Sequence, residues 1–321
     1  MPLLDSHYRP PILFRNGHFS TVFASGLRRI PNLKQYRTQL PTSDGDILDL
    51  DWSHASNKTD KIAIIIHGLE GDSGRPYMLG SATAFNQNDI DAVRVNLRGC
   101  GGHPNNLYTS YHSGKSDDLK AVVDAIVKEH QYNYIYLNGF SLGANIVLKY
   151  LGEQDFPNQV KAAVAISTPC DLYATMLELH KPKNRIYAYR FKKTLIQKLK
   201  QKQLQFPDRI DLATINNIKT LKDFDDVYTS KAHGFIDAED YYKRSSSLQY
   251  LSEIKLPTLI LNALNDSFLA PSCFPNDIAR DHPNVFLESP KYGGHVGFFR
   301  YGNSYYNEQR AIAFIKSNSQ G

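Results

Sequence analysis

Short apolar runs alternate with amphipathic stretches along most of the chain. The runs are rich in β-branched residues, as is typical of strands that are buried on both faces of a sheet. Apolar residues in the stretches between them recur at helical spacing, for example at Leu119, Val122, Val123 and Ile126. This alternation predicts an α/β fold in which helices flank a mostly parallel central sheet. The predicted strands are residues 35–40, 47–52, 61–66, 91–96, 134–138, 160–166, 257–262 and 284–288.

Turn signals and helical periodicity complete this order of elements. The Asp44-Gly45 step between the first two strands favours a tight turn and predicts a hairpin at the start of the sheet. The predicted helices are residues 77–88, 116–130, 142–151, 274–280 and 303–316.

One long segment interrupts the alternation. Residues 171–251 are charged, rich in tyrosine and helical in pattern, and they contain no convincing strand. We interpret them as a helical lid inserted over the carboxyl edge of the sheet, because ligands of open α/β sheets bind at that edge. Residues 35–170 and 252–321 then form the core, and the Pro-rich residues 1–34 are predicted to be irregular.

A candidate nucleophile lies at the end of the fifth predicted strand. Gly139-Phe140-Ser141-Leu142-Gly143 matches the Gly-x-Ser-x-Gly pattern, which is weak on its own. Here it directly follows a strand and directly precedes a helix, which is the setting that a nucleophile elbow requires. The alternative is a serine that merely caps the helix. In the elbow, the backbone N–H of Leu142 would lie at a helix N-terminus and donate to an oxyanion.

The loop after the third strand is the second candidate for oxyanion stabilisation. It has the sequence His67-Gly68-Leu69-Glu70-Gly71, and hydrolases with such an elbow take their second N–H donor from this loop. The backbone N–H of Leu69 is the predicted donor. We interpret His67 as a structural histidine beneath the loop rather than a catalytic base, and it has no partner at the spacing of a zinc site.

The acid and the base are expected after later strands, in the order Ser, Asp or Glu, His. Asp266 follows the strand at residues 257–262, and Asp171, which follows the preceding strand, is the alternative acid. His295 follows the last strand between glycines, whereas His282 precedes that strand and should lie at the opposite edge. His295 would take the proton of Ser141, and Asp266 would orient the imidazole.

Composition sets limits on location and partners. The 37 Lys and Arg against 32 Asp and Glu give a net charge of +5, which neither demands nor excludes an anionic partner. Three widely spaced cysteines without a Cys-x-x-Cys pair argue against disulfides and thiolate metal sites, and fit a reducing compartment. The chain shows no secretory-signal pattern, and its longest aliphatic run, residues 62–66, is too short to cross a bilayer. We expect a cytoplasmic protein with no cofactor, no metal and no nucleic-acid partner; the oligomeric state is not indicated.

Two groups of side chains in the lid segment each allow two interpretations. The basic group could dock on anionic lipid as a peripheral membrane contact, or form a solvated helix face. The aromatic group could line an acyl pocket, or pack the lid on the core. The basic residues are Lys181, Lys183, Arg185, Arg190, Lys192, Lys193, Lys198, Lys200 and Lys202, and the aromatic ones are Tyr173, Tyr187, Tyr189, Phe191 and Phe206.

Together these motifs resemble one branch of the α/β-hydrolase superfamily. The branch includes bacterial YheT-like esterases, eukaryotic abhydrolase-domain lipases and yeast medium-chain ethyl-ester synthases/esterases, and the resemblance spans about residues 10–300. It implies an α/β-hydrolase fold and the triad Ser141, Asp266 and His295. The strings that carry it are Asn16-Gly17-His18, His67-Gly68-Leu69-Glu70-Gly71, Asn96-Leu97-Arg98-Gly99-Cys100-Gly101-Gly102, Gly139-Phe140-Ser141-Leu142-Gly143-Ala144-Asn145 and Gly293-Gly294-His295-Val296-Gly297-Phe298.

The chain departs from that branch in two places. Asn265-Asp266-Ser267 stands where the branch often has Asp-Asp-Pro. The eukaryotic members also carry an N-terminal membrane anchor, which we do not expect here. The function expected from the residues and the resemblance is hydrolysis of small-molecule carboxylic esters, with short- to medium-chain acyl or lipid-like groups, through an acyl-enzyme. The alternatives are an acyltransferase that passes the acyl group to an alcohol and a non-catalytic binding protein on a hydrolase scaffold. A peptidase or thioesterase would use the same triad.

Overall fold

A computed structural model describes residues 3–30, 33–129, 132–153, 155–302 and 304–318 of the chain. The predicted helix ends at His130 and Asn303 lie outside the described residues. All eight predicted strands are present, each within two residues of the predicted bounds. The described strands are β1 Leu3–Leu4, β2 Tyr36–Pro41, β3 Ile47–Ser53, β4 Lys61–Ile66, β5 Asp91–Asn96, β6 Tyr134–Phe140, β7 Val160–Ile166, β8 Thr258–Leu261 and β9 Val285–Glu288.

The described strands form one sheet in the order β1-β9-β8-β7-β6-β4-β5-β3-β2. The predicted hairpin is confirmed, because β2 and β3 pair antiparallel, with Leu40 opposite Leu48. β3 also runs antiparallel to β5, and all other neighbours are parallel. The carboxyl ends of β4, β6, β7, β8 and β9 therefore meet at one edge of the sheet, as expected for a site in this class of fold.

Helices cover both faces of the sheet. On one face lie α3 Ser116–Glu129 and α4 Leu142–Glu153, and on the other α2 Pro76–Asn86 and α12 Tyr306–Asn318. β4 is buried from Ile62 to Ile66, which is why it reads as a continuous apolar run. Truncating one of these side chains, as in Ile64→Ala, would cost about 2–5 kcal/mol of stability. The central strands are thus a rigid base for the loops at their carboxyl ends.

The segment between β7 and β8 consists of helices joined by short turns and contains no strand. It begins with α5 Leu172–His180 and the long helix α6 Arg185–Gln205, and it ends in a 3₁₀ turn at Ser247–Glu253. It has small apolar clusters of its own, such as the one around Leu199, Ile215 and Phe224. The shorter helices are α7 Leu212–Asn216, α8 Leu221–Phe224, α9 Ser230–His233 and α10 Ala238–Ser245, and α11 Asn276–Asp281 follows β8.

The prediction that the N-terminal residues are irregular is wrong for most of the described part. β1 pairs with β9, a 3₁₀ turn covers Ile12–Arg15, and α1 Gly17–Val22 continues into a π-helical turn at Phe23–Leu27. Elements this short show no periodicity and are not stable alone, so tertiary contacts must hold them. The ring of Phe14 stacks on that of Phe299, with centroids 3.6 Å apart.

The cysteines and the apolar character of the helices bear on the compartment and membrane expectations drawn from composition. Cys100, Cys170 and Cys273 are all buried, and none forms a disulfide. Among the described residues, no helix has both the length and the apolar character needed to cross a bilayer.

Candidate active site

Ser141 lies in the sharp turn between β6 and α4. Its backbone has φ of +53°, a left-handed conformation that is costly for a residue with a side chain. The neighbouring glycines permit the turn, because a Cβ on Gly139 would lie 2.5 Å from the Cα of Ala144, and one on Gly143 would lie 2.5 Å from the carbonyl oxygen of Ile66. The motif therefore has the strand–turn–helix setting of a nucleophile elbow.

The structure brings Ser141, His295 and Asp266 together in one hydrogen-bonded line. Nε2 of His295 lies 2.8 Å from Oγ of Ser141, and Nδ1 lies 2.8 Å from Oδ2 of Asp266. Since a carboxylate only accepts, Nδ1 carries the proton and Nε2 is left to accept from the serine hydroxyl. Asp266 is 5% exposed and His295 8%, so this line is largely shielded from water.

The loop that carries His295 is held by two hydrogen bonds from its backbone to hydroxyl groups and by one aromatic contact. The N–H of His295 donates to Oγ1 of Thr21 at 2.8 Å, and the N–H of Val296 donates to Oγ of Ser167 at 2.9 Å. Val296 has φ of +56°, which is unfavourable for a β-branched residue and requires support from its surroundings. The ring of Phe268 packs on the His295 imidazole with centroids 4.3 Å apart.

The N-terminal segment supports both the acid loop and the histidine loop. The Asn265 side chain donates to the carbonyl of Arg15 at 3.0 Å and accepts from the N–H of Gly294 at 2.9 Å. Asn16 caps α1 by accepting from the N–H of Phe19 at 3.0 Å. Sequence reasoning missed Thr21 and Asn265 as site residues. The Asn16-Gly17-His18 string was the available signal, but nothing in the sequence indicated which loops it contacts.

The loop after β4 lies directly against the serine. A Cβ on Gly68 would lie 2.9 Å from the Cβ of Ser141, so the loop backbone is as close as it can be. Among the described residues, the backbone N–H groups of Leu69 and Leu142 have no hydrogen-bond partner. Both are therefore available to a ligand oxygen.

His67 has a structural environment beneath this loop. It is fully buried, its Nδ1 lies 2.8 Å from the Gly68 carbonyl, and its Nε2 accepts from the N–H of Leu97 at 3.1 Å. Burial lowers the pKa of His67 to about 4, so the imidazole is neutral at physiological pH. Both ring nitrogens are occupied, which leaves His67 no free atom to serve as a base.

The alternative acid Asp171 and the alternative histidine His282 do not join the hydrogen-bonded line of Ser141, His295 and Asp266. Asp171 caps α5 by accepting from the N–H of Ala174 at 3.0 Å, and it also accepts from Oγ of Ser272 at 2.7 Å. Nδ1 of His282 accepts from the N–H of Asn284 at 3.1 Å, at the amino end of β9. Neither side chain contacts Ser141 or His295.

A cavity of ≈ 160 Å³ opens beside Ser141 and His295. Space of this size is large enough for a small organic molecule. Its wall is mainly apolar and also includes Glu70 and Lys198. The apolar side chains are Leu142, Leu172, Met176, Leu179, Phe191 and Phe268.

The inserted segment's basic and aromatic side chains have mixed environments. Lys181 and Lys183 pair with Glu178, whereas Lys198 and Lys202 point inward to the core loops. Of the five aromatic residues, Phe191 lines the cavity, Tyr187 packs against Phe268, and Tyr189 is 62% exposed. These basic side chains therefore do not share one environment, and neither do these aromatic ones. No group of three or more His, Cys, Asp or Glu that could hold a metal ion is present in the part of the chain that the structure describes.

Comparison with known proteins agrees with this fold. The family model Hydrolase_4, described as serine aminopeptidase S33, matches residues 57–273. The chain is 32% identical over 289 residues to YheT of Escherichia coli K12, which is described as a candidate esterase, covering 89% of this chain and 85% of that protein. It is 27% identical over 306 residues to Phospholipase ABHD3 of Mus musculus, covering 92% and 74%.

A solved structure shows the same fold at lower identity. The Pyrococcus furiosus esterase Pf2001 superimposes with a TM-score of 0.62 at 18% identity, covering 92% of this chain and 97% of the esterase. The fold and the relatives together define a carboxylic-ester hydrolase of the α/β-hydrolase superfamily. Within that superfamily the chain belongs to the Hydrolase_4 family and to its YheT-like branch, which confirms the resemblance inferred from the motifs.

Proposed function

We propose that the chain hydrolyses carboxylic esters through an acyl-enzyme on Ser141, with His295 as general base and Asp266 as the acid that orients it. The observation that carries the proposal is the continuous hydrogen-bonded line from Ser141 through His295 to Asp266, with both contacts at 2.8 Å. A neutral serine hydroxyl is a poor nucleophile, and a base within hydrogen-bond reach is what activates it.

The reaction then follows from the position of each proton. Ser141 Oγ attacks the ester carbonyl while its proton passes to Nε2 of His295, and Asp266 stabilises the imidazolium. The imidazolium returns the proton to the alkoxide that leaves, and the acyl group stays on Ser141. A water molecule, deprotonated by the same imidazole, attacks the acyl carbon and releases the acid.

Two backbone N–H groups would stabilise the oxyanion that forms during each attack. Those of Leu69 and Leu142 are unpartnered among the described residues, and that of Leu142 lies at the N-terminus of α4, where the helix dipole favours negative charge. Donors fixed in advance near developing charge are usually the largest single contribution to catalysis of this kind.

The inserted segment would act as a lid that supplies much of the acyl site. Leu172, Met176 and Leu179 of α5 and Phe191 of α6 line the cavity beside Ser141. These side chains are apolar, which suits a short- to medium-chain acyl group or a lipid-like ester. The activities in the names of the relatives, an esterase and a phospholipase, are consistent with this substrate class.

The test is a series of p-nitrophenyl esters of increasing acyl length, assayed with the native protein and with Ser141→Ala. We expect turnover by the native chain and a loss of about 10³-fold or more in the variant. Repeating the assay with added ethanol separates hydrolysis from acyl transfer. Free acid as the main product supports a hydrolase, and ethyl ester in excess over acid would make the chain an acyltransferase. No turnover of any ester would contradict both and favour a binding protein.

A further inference from the structure

An ion pair connects helix α6 of the inserted segment to the loop that follows β4. Nζ of Lys198, on α6, lies 3.0 Å from Oε1 of Glu70. Glu70 directly follows Leu69, the proposed oxyanion donor. The Glu70 side chain is only 4% exposed and that of Lys198 is 35% exposed, so this is a largely buried contact between two parts of the molecule that are far apart in sequence.

Glu70 is fixed by further contacts on the core side. The Tyr111 hydroxyl accepts from the N–H of Glu70 at 3.0 Å and donates to its Oε1 at 2.6 Å, which closes a ring. The guanidinium of Arg75 donates to the Glu70 carbonyl at 2.9 Å. The residue has φ of +53°, so these contacts hold it in an unfavourable backbone conformation. Because Glu70 directly follows Leu69, its fixed position constrains the backbone of Leu69 as well.

Lys198 is the cation that balances this buried carboxylate. No hydrogen bond reaches the other oxygen of Glu70, Oε2, from the described residues, although that atom is also buried. Lys198 also lies 3.2 Å from the sulfur of Cys100, but burial raises the pKa of that thiol to about 11, so it is uncharged. A buried carboxylate that loses its cation is strongly destabilised, and the cheapest response is for the carboxylate to move toward water.

We propose, resting on the function proposed above, that Lys198 is a positioning residue for ester hydrolysis. It acts through Glu70 and fixes the backbone of the oxyanion loop, so that the Leu69 N–H is correctly aimed only while α6 is seated on the core. Oxyanion donors work over a narrow range of distance, and a loop displaced by a fraction of an ångström loses much of their effect.

The experiment compares Lys198→Met with Lys200→Met, an exposed lysine two residues farther along α6. Lys198→Met is expected to lower kcat on p-nitrophenyl butyrate on the order of 10- to 100-fold with KM changed less than about 2-fold, since the lost interaction is made only in the transition state. Lys200→Met should match the native chain. Lys198→Arg keeps the charge and should recover most of the lost kcat.

The affinity of a boronic acid inhibitor separates the two possible roles of Lys198. It would not change if Lys198 only stabilised the fold. The inhibitor's tetrahedral adduct on Ser141 places an oxygen where the oxyanion forms, so its affinity should fall in Lys198→Met by about the same factor as kcat. In a Glu70→Gln background, Lys198→Met should cost less than about 2-fold more, because no buried charge is left to balance.

Three results would overturn the proposal: Lys198→Met turning over like Lys200→Met, a rise in KM in place of a fall in kcat, or unchanged boronic acid affinity. If Lys198→Met fails to fold, kcat, KM and boronic acid affinity are compared in the same way for Lys198→Arg and Glu70→Gln. A failure of the triad assignment is separate, since it would show as full activity in Ser141→Ala.

Discussion

Oγ1 of Thr21, on the first helix of the chain, accepts a hydrogen bond from the backbone N–H of His295 at 2.8 Å. The two residues are 274 positions apart. The same hydroxyl donates to the carbonyl of Gly17 at 2.7 Å, which ties the histidine loop to the body of α1. The N-terminal segment is therefore part of the site's support rather than a free extension of the sheet.

Thr21→Val tests that support. Valine keeps the shape of threonine but leaves the His295 N–H without an acceptor in a buried setting, which costs about 1–3 kcal/mol. We expect kcat to fall on the order of 10-fold, because the imidazole is no longer held against Ser141. Ser25→Ala, which removes a hydroxyl that bonds only within the same helical segment, is the control. If the Thr21 contact does not position His295, steady-state assays will give the same kcat for Thr21→Val and Ser25→Ala.

The choice between the two candidate acids has a direct test. Asp266→Asn preserves the shape of the side chain but favours the wrong imidazole tautomer, and it should lower kcat by roughly 10⁴-fold. Asp171→Asn should leave kcat nearly unchanged, because asparagine is an equally good cap for α5. Measuring both variants on one ester decides the assignment, and a large loss in Asp171→Asn alone would reverse it.

Gly68→Ala probes the closeness of the oxyanion loop to the nucleophile. The added Cβ would lie 2.9 Å from the Cβ of Ser141, and the atoms can separate only if the loop or the elbow moves. We expect kcat to fall by about 10²-fold or more, as when one oxyanion donor is lost. The melting temperature should fall by only a few degrees, since the nearest neighbours of the added methyl group are atoms of Phe140 and Ser141 in the elbow. A variant with native kcat would mean that this loop does not contribute to the reaction.

His67 predicts a pH dependence of stability. Burial lowers its pKa in the folded chain to about 4, whereas the unfolded chain has the ordinary value near 6.5. Below pH 6.5 the unfolded state binds a proton that the folded state does not, so stability present above pH 6.5 is lost as the pH falls toward 4. The difference amounts to about 3 kcal/mol.

Denaturant unfolding at pH 7.5 and pH 4.5 measures this contribution. The native chain should lose more stability between the two values than His67→Gln does. His7→Gln, which replaces an exposed histidine, should lose as much as the native chain. Equal losses in all three chains would show that His67 is not the group that titrates.

Much of the scaffold could be predicted because its signals are local. β4, β5 and β7 have the predicted bounds. In β4 and β7 the signal is a nearly continuous apolar run, as is typical of strands buried on both faces. The elbow at Ser141 could be recognised because strand, motif and helix are contiguous. The order of Asp266 and His295 after their strands then placed both at the same edge of the sheet.

The remaining features depend on contacts between distant residues. β1 has two residues and α1 has six, so neither has a period that sequence reasoning could detect. The contact of Lys198 with Glu70 joins residues 128 positions apart. Lys198 is one of nine basic residues between Lys181 and Lys202. Nothing local distinguishes it from Lys200. The same holds for Thr21, whose role is visible only once the histidine loop is seen beside α1.

The central claim is that Ser141 is activated by His295 and becomes acylated. Intact-protein mass spectrometry after treatment with a fluorophosphonate tests it most directly, with peptide mapping of the modified residue. We predict one label per chain, located on Ser141, absent in Ser141→Ala and slowed by about 10³-fold or more in His295→Ala. Labelling of another residue, or equal rates with and without the imidazole, would contradict the account.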